Sequence, residues 1–204
     1  MTSIILAGGR GSRFGRNKVL ETVGGKSLIQ WVIERLATLS TESIIVTAPG
    51  DCFASLAANI SLSPRIKMVA DIYPGKGPLG GIYTGLTESA SSRAIVVGCD
   101  MPFLNVALLD YMTQISPPFD VVVPRIGEWV EPLCAIYSKN CLAPIQRLLQ
   151  RNELRISELF KVVRVKYVEE DEINRFDPEH LSFFNINTQA DLYKARKLAI
   201  EALP

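Results

Sequence analysis

The six residues Arg93-Ala94-Ile95-Val96-Val97-Gly98 constrain the fold more than any other stretch of the chain. Past the opening arginine the run is apolar without a break, so both faces of such a strand must be covered. A parallel sheet with helices packed on both sides meets that demand. Other strand-like runs occur at residues 3–7, 43–47 and 65–70. Helical patterns fall between them. Ser27-Leu28-Ile29-Gln30 has the form of a capping box and opens a helix reaching residue 39. Further helices are expected at 51–59, at 79–88, and from a cap at Asn105 to residue 115. The alternation predicts an α/β fold with a mostly parallel sheet and helices on both faces.

The second half is less regular. Residues 120–124 and 133–137 read as strands, with 125–129 between them as a hairpin connection. A helix is expected at 140–150, a strand at 162–168 and another at 182–186. The last helix opens at Asn187-Thr188, where Thr188-x-x-Asp191 supplies the capping signal. Asn152 interrupts the basic spacing Arg147, Arg151, Arg155, so that stripe reads as solvated surface. Neither repeats nor linkers break the chain, and residues 1–204 are expected to form one domain.

Composition narrows the partners. A formal charge of +1 gives no reason to expect nucleic acid or a membrane surface. The apolar runs are only of strand length, and no basic-then-apolar leader opens the chain. Cys52, Cys99, Cys134 and Cys141 form no C-x-x-C pair, and His180 is the only histidine. A Cys/His zinc site is therefore not expected. Cys99 and Cys134 lie in apolar runs and read as small buried hydrophobes in a reduced, cytoplasmic protein.

The first strand runs into Leu6-Ala7-Gly8-Gly9-Arg10-Gly11-Ser12-Arg13-Phe14-Gly15-Arg16-Asn17-Lys18. Glycines let backbone N–H groups approach an anion, and the cations supply charge. This is not the dinucleotide fingerprint G-x-G-x-x-G, because Phe14 stands where the third glycine belongs. Nor is it the ATPase loop, because Leu20 stands where the first glycine of a Gly25-Lys26-Ser27 motif would be. Arg13 and Lys18 can follow charge as it moves between oxygens, which suits a triphosphate being cleaved better than a diphosphate being held. Downstream, Val97-Gly98-Cys99-Asp100-Met101-Pro102 places an acid just past the carboxyl end of an apolar strand. Ligands of open parallel sheets bind there, and Asp100 is well placed to hold Mg²⁺ against phosphate oxygens.

These stretches resemble the molybdenum cofactor guanylyltransferase family of nucleotidyltransferases. The opening loop is similar to the family signature L-A-G-G-x-S-x-R-M-G-x-D-K, with one extra residue. Asp71 followed by Gly77-Pro78-Leu79-Gly80-Gly81, then Cys99-Asp100-Met101-Pro102, Glu131-Pro132-Leu133-Cys134-Ala135 and Phe184-Asn185-Ile186-Asn187-Thr188 resemble its later blocks in the family's order. The chain departs at Phe14 for the usual Met, at Asn17 for the usual Asp, and at Thr47 where some members carry a nucleotide-contacting Asn.

The resemblance implies a Rossmann-like domain of the nucleotide-diphospho-sugar transferase type. The N-terminal half would bind GTP and Mg²⁺, and the C-terminal part would form the molybdopterin side of the cleft. It implies that Leu6, Ala7 and Gly8 contact the guanine nucleotide through their backbones. Lys18 would bind phosphate and Asp71 either base or ribose, while Asp100 would hold Mg²⁺ and touch the nucleotide. Arg13, Lys18 and Asp100 would carry catalysis. Asn185 and Asn187 would face the pterin, with helix capping as the plain alternative for Asn187. The reaction implied is attack by the terminal phosphate of molybdenum-loaded molybdopterin on the α-phosphate of GTP, releasing pyrophosphate. A monomer is implied, with molybdoenzymes or their chaperones as recipients of the product. The competing readings are a CTP-dependent molybdopterin cytidylyltransferase or a sugar-phosphate nucleotidylyltransferase on the same fold, and a non-catalytic nucleotide sensor.

Overall fold

The computed structural model describes residues 1–8, 20–50, 65–115 and 118–202. The helix expected at 51–59 lies outside them, as does Cys52. The elements in chain order are β1 (Thr2–Leu6), β2 (Thr22–Val23), β3 (Lys26–Ser27), α1 (Leu28–Leu36), β4 (Glu42–Thr47), β5 (Ile66–Ala70) and α2 (Gly77–Glu88). They continue with β6 (Arg93–Gly98), α3 (Val106–Gln114), β7 (Val121–Ile126), β8 (Trp129–Val130), β9 (Cys134–Ser138) and α4 (Leu142–Gln150). The chain closes with α5 (Ile156–Phe160), β10 (Val165–Val168), α6 (Glu170–Asn174) and α7 (Gln189–Ala202).

The main sheet has the order β10-β7-β9-β6-β1-β4-β5, with β8 on the end of β7. Strands β6, β1, β4 and β5 are parallel, and β10 is parallel to β7. β9 runs antiparallel to both its neighbours. The reversal comes from the expected hairpin, which is tighter than its sequence suggests. β7 extends to Ile126 and pairs with Trp129 across Gly127-Glu128, with Gly127 at φ 57°. Because β9 runs backwards, its start lies at the edge where the parallel strands end.

Alternate residues of the strands feed two cores, as a sheet covered on both faces requires. Ile5, Ile95, Val97, Val122 and Ile136 pack with α1 and α3 on one face. Ile4, Val96, Val121, Val123 and Tyr137 pack with α2 and α4 on the other. Ser27 and Gln30 form the expected capping box of α1, and the Asn105 side chain accepts from Leu108 N–H at the start of α3. Asn152, at φ 59°, follows the end of α4 and breaks the arginine stripe. Burial pushes the Cys141 thiol up to about 12 and the Cys134 thiol up as well, so both are inert packing groups.

Helix α2 lies unusually close to β1. A Cβ on Gly81 would meet Leu6 Cδ2 at 3.0 Å, and one on Gly85 would lie 2.4 Å from Ile4 Cγ2. Both partners are on β1, and the spacing of four keeps the two glycines on one helix face. Gly85→Ala gains about 1 kcal/mol of helix propensity. Overpacking a fully buried site costs about 3 kcal/mol. The expected net loss is about 2 kcal/mol, read as a lower urea midpoint with an unchanged slope.

Candidate active site

β1 ends at Leu6, in register with Gly98 of β6 and Val46 of β4. Cys99 N–H donates to Leu6 O at 3.2 Å, and Ala7 N–H donates to Val46 O at 2.8 Å. Leu6, Ala7 and Gly8 therefore leave the sheet between the ends of β6 and β4. Gly8 is exposed. A Cβ there would sit 3.0 Å from Ala48 N, so the glycine lets the chain pass close over the end of β4.

Asp71 follows the end of β5 at the same edge, and its N–H donates to Thr47 O at 2.8 Å. Its Oδ1 accepts from Tyr73 N–H at 3.0 Å and from the Thr84 hydroxyl at 2.8 Å. The carboxylate thus shapes the turn that leads into α2, a structural role its sequence context does not reveal. No hydrogen bond among the described residues engages Oδ2. Since Gly81 and Gly85 lie on Leu6 and Ile4 in that order, the N-terminus of α2 points toward the edge beyond Leu6. Its N–H groups and positive dipole end favour anions there.

Asp100 lies two residues past β6, half-buried. Its carboxylate folds back over the strand, where a Cβ on Gly98 would be 2.6 Å from Oδ1. Its backbone carbonyl accepts from Ile186 N–H at 3.0 Å. That bond brings the C-terminal segment to the edge of the sheet. The buried Ile186 side chain fixes it there, packed with Val23, Leu28 and Leu192.

Asn185 consequently lies beside the start of β9. Its Nδ2 donates to Glu131 Oε2 and to Phe183 O, each at 3.3 Å. Glu131 has no assigned role in the sequence reading, although it stands in one of the quoted blocks. It is a buried acid, 6% exposed, and its Oε1 accepts from Leu133 N–H at 3.0 Å. Burial pushes its carboxyl above the ordinary value and the charge of Asp100 adds to the rise, while Leu133 N–H and the Asn185 amide pull it down. The available signal was its setting, an acid placed directly against the apolar run that follows Pro132.

Two expectations for the C-terminal segment are corrected. Residues 182–186 are not a strand. Leu181–Phe183 forms a 3₁₀ turn entered through His180 at φ 55°. The Asp177 carboxylate drives this by accepting from Leu181 N–H at 3.1 Å and Ser182 N–H at 2.8 Å. Nor is Asn187 the helix cap. The Thr188 hydroxyl accepts from Asp191 N–H at 3.1 Å, and Asp191 Oδ2 accepts from Thr188 N–H at 2.8 Å, so Thr188 caps α7. Asn187 is exposed, one residue before the cap.

The structure therefore brings Leu6, Ala7, Gly8, Asp71, Asp100 and Asn185 to one edge. Arg13 and Lys18 lie outside the described residues. A hard divalent cation fits the donor set. Asp100 offers a half-exposed carboxylate, and Mg²⁺ takes one or two carboxylates with phosphate and water completing its shell. No helix among the described residues is long and apolar enough to cross a membrane.

The MobA-like NTP transferase domain model matches residues 3–166. A probable molybdenum cofactor guanylyltransferase of Pelotomaculum thermopropionicum is 37% identical over 97% of this chain and 93% of its own length. The molybdenum cofactor guanylyltransferase of Desulfosudis oleivorans is 35% identical over 99% of this chain and 96% of its own. Among solved structures, molybdopterin-guanine dinucleotide biosynthesis protein A from Archaeoglobus fulgidus superposes with a TM-score of 0.85 at 26% identity, covering 98% of this chain and 100% of that one.

Proposed function

Because the chain belongs to the MobA-like NTP transferase family, among the molybdenum cofactor guanylyltransferases, we propose that it transfers GMP from GTP to the terminal phosphate of molybdenum-loaded molybdopterin. The products are the guanine dinucleotide form of the cofactor and pyrophosphate. The observation that supports this best is the bond from Ile186 N–H to Asp100 O. It joins the segment assigned to the pterin to the strand end assigned to the nucleotide phosphates, so both substrates share one edge.

The chain's groups divide the work. The backbone of Leu6 to Gly8 reads the guanine nucleotide, and the N-terminus of α2 adds N–H donors and a positive field. Asp71 holds the turn into α2, leaving Oδ2 to accept from base or ribose. Arg13 and Lys18 carry the positive charge that offsets repulsion between the two phosphates. Asp100 would hold Mg²⁺. When bound, Mg²⁺ supplies charge neutralisation on the phosphate oxygens. A phosphate monoester is largely ionised near neutral pH, so the attacking group needs no strong base.

Nucleotide choice is the direct test. GTP with Mg²⁺ is expected to raise the melting temperature more than ATP, CTP or UTP does, since only a ligand of the native state stabilises it. Equal shifts for all four would remove the guanine site, and a largest shift with CTP would make the protein a cytidylyltransferase.

A further inference from the structure

Asn185 has its amide orientation dictated by its neighbours. An amide offers two donor hydrogens on nitrogen and an acceptor on oxygen. Both groups facing Nδ2 are acceptors, Phe183 O and Glu131 Oε2, each at 3.3 Å. Neither partner can move away freely. Glu131 is buried, with Oε1 held by Leu133 N–H at 3.0 Å and its own N–H donating to Pro124 O at 3.2 Å. Phe183 follows Ser182, whose N–H is held by the Asp177 carboxylate, and the Phe183 ring rests against Trp129 with centroids 5.7 Å apart. Both amide hydrogens are thus consumed by the protein. Oδ1 receives no hydrogen bond among the described residues.

We propose that Glu131 is a positioning residue for the second substrate. It locks the Asn185 amide so that Asn185 presents an acceptor, and only an acceptor, to an N–H group of the incoming pterin. The proposal rests on the placement of Asn185 at the pterin side of the cleft. A pterin carries ring N–H and amino donors on its pyrimidine edge, so a fixed acceptor discriminates between its donor and acceptor atoms. Charge on Glu131 strengthens a bond that is long by geometry. The burial of Glu131 prevents water from offering the amide an alternative partner.

Glu131→Gln keeps the shape and reverses the logic. The new side chain has one acceptor, and Leu133 N–H requires it. Its amino group then faces Asn185, which turns its oxygen toward position 131 and its nitrogen toward the pterin, giving up the bond to Phe183 O. A donor would oppose a donor in the cleft. The KM for molybdenum-loaded molybdopterin at saturating GTP is expected to rise about tenfold or more, the scale of an inverted, unsatisfied hydrogen bond. The GTP dissociation constant should stay at the parent value and the melting temperature within a few degrees of it. Asn185→Asp should be impaired similarly, because two carboxylates then face each other. The pair Glu131→Gln with Asn185→Asp restores a donor to an acceptor and an acceptor to the cleft, leaving only Phe183 O without its donor, and it should recover part of the lost KM. That reciprocal rescue is not expected of residues that act through packing alone.

Asn185→Ala separates the inference from the reading beneath it. If Asn185→Ala raises the pterin KM and Glu131→Gln leaves it unchanged, Asn185 binds the pterin and the positioning role of Glu131 is wrong. If Glu131→Gln lowers GTP affinity and melting along with pterin use, and the double variant rescues nothing, Glu131 is merely structural. If Asn185→Ala leaves the pterin KM at the parent value, the second substrate binds elsewhere and both claims fall.

Discussion

Asp100→Asn is expected to lower the rate of nucleotidyl transfer by about a hundredfold or more, the scale seen when one group stabilising transition-state charge is removed. The substitution keeps the size of the side chain and leaves the backbone carbonyl that accepts from Ile186 N–H. The fold and the link to the C-terminal segment therefore survive, and the melting temperature should stay near that of the parent. What disappears is a negative charge at the carboxyl edge, which in the proposed mechanism draws a divalent cation to phosphate oxygens there. The loss should fall on kcat at saturating GTP and Mg²⁺ more than on GTP binding, because the charge matters most as the pyrophosphate departs. A Mg²⁺-dependent kcat close to the parent's would place the metal on another residue.

The placement of Asp100 was legible because two rules coincide. An unbroken apolar strand is central, and residues just past the carboxyl end of such a strand face the ligand. The same rules located Leu6 to Gly8. The expected hairpin set β9 antiparallel to β7, but nothing in Cys134-Ala135-Ile136-Tyr137-Ser138 announces that β9 slots between β7 and β6. That pairing with β6 is what puts Glu131 at the site, so Glu131 was missed with it. Asn185 does lie at the edge, but not at the end of a strand. Phe183 and Ile186 gave residues 182–186 an apolar, strand-like look, whereas Asp177 winds the start of that segment into a turn. Asp71 shows a different limit. Its loop-forming bonds depend on Thr84, thirteen residues away on α2, and no local pattern announces them.

Gly98→Ala offers a way to disturb Asp100 without replacing it, and a loss of activity comparable to that of Asp100→Asn is expected. Gly98 is buried at the end of β6, and its φ is not positive, so the backbone accepts alanine without strain. The space is the obstacle. A Cβ would stand 2.6 Å from Asp100 Oδ1, while Met101 Sδ, at 3.5 Å, is at ordinary contact distance. The atom in the way is the end of a flexible side chain, so the carboxylate swings aside and the strand keeps its register with Leu6. The stability cost is therefore small. The catalytic cost is large, because a displacement of about 1 Å in a reacting arrangement is enough to lose roughly a hundredfold in rate. Melting within a few degrees of the parent together with a collapsed kcat is the expected pair of results. Combining Gly98→Ala with Asp100→Asn should add little to either single loss, since both act through one carboxylate. A Gly98→Ala protein that turns over at the parent rate would show that the position of this carboxylate does not matter to the reaction.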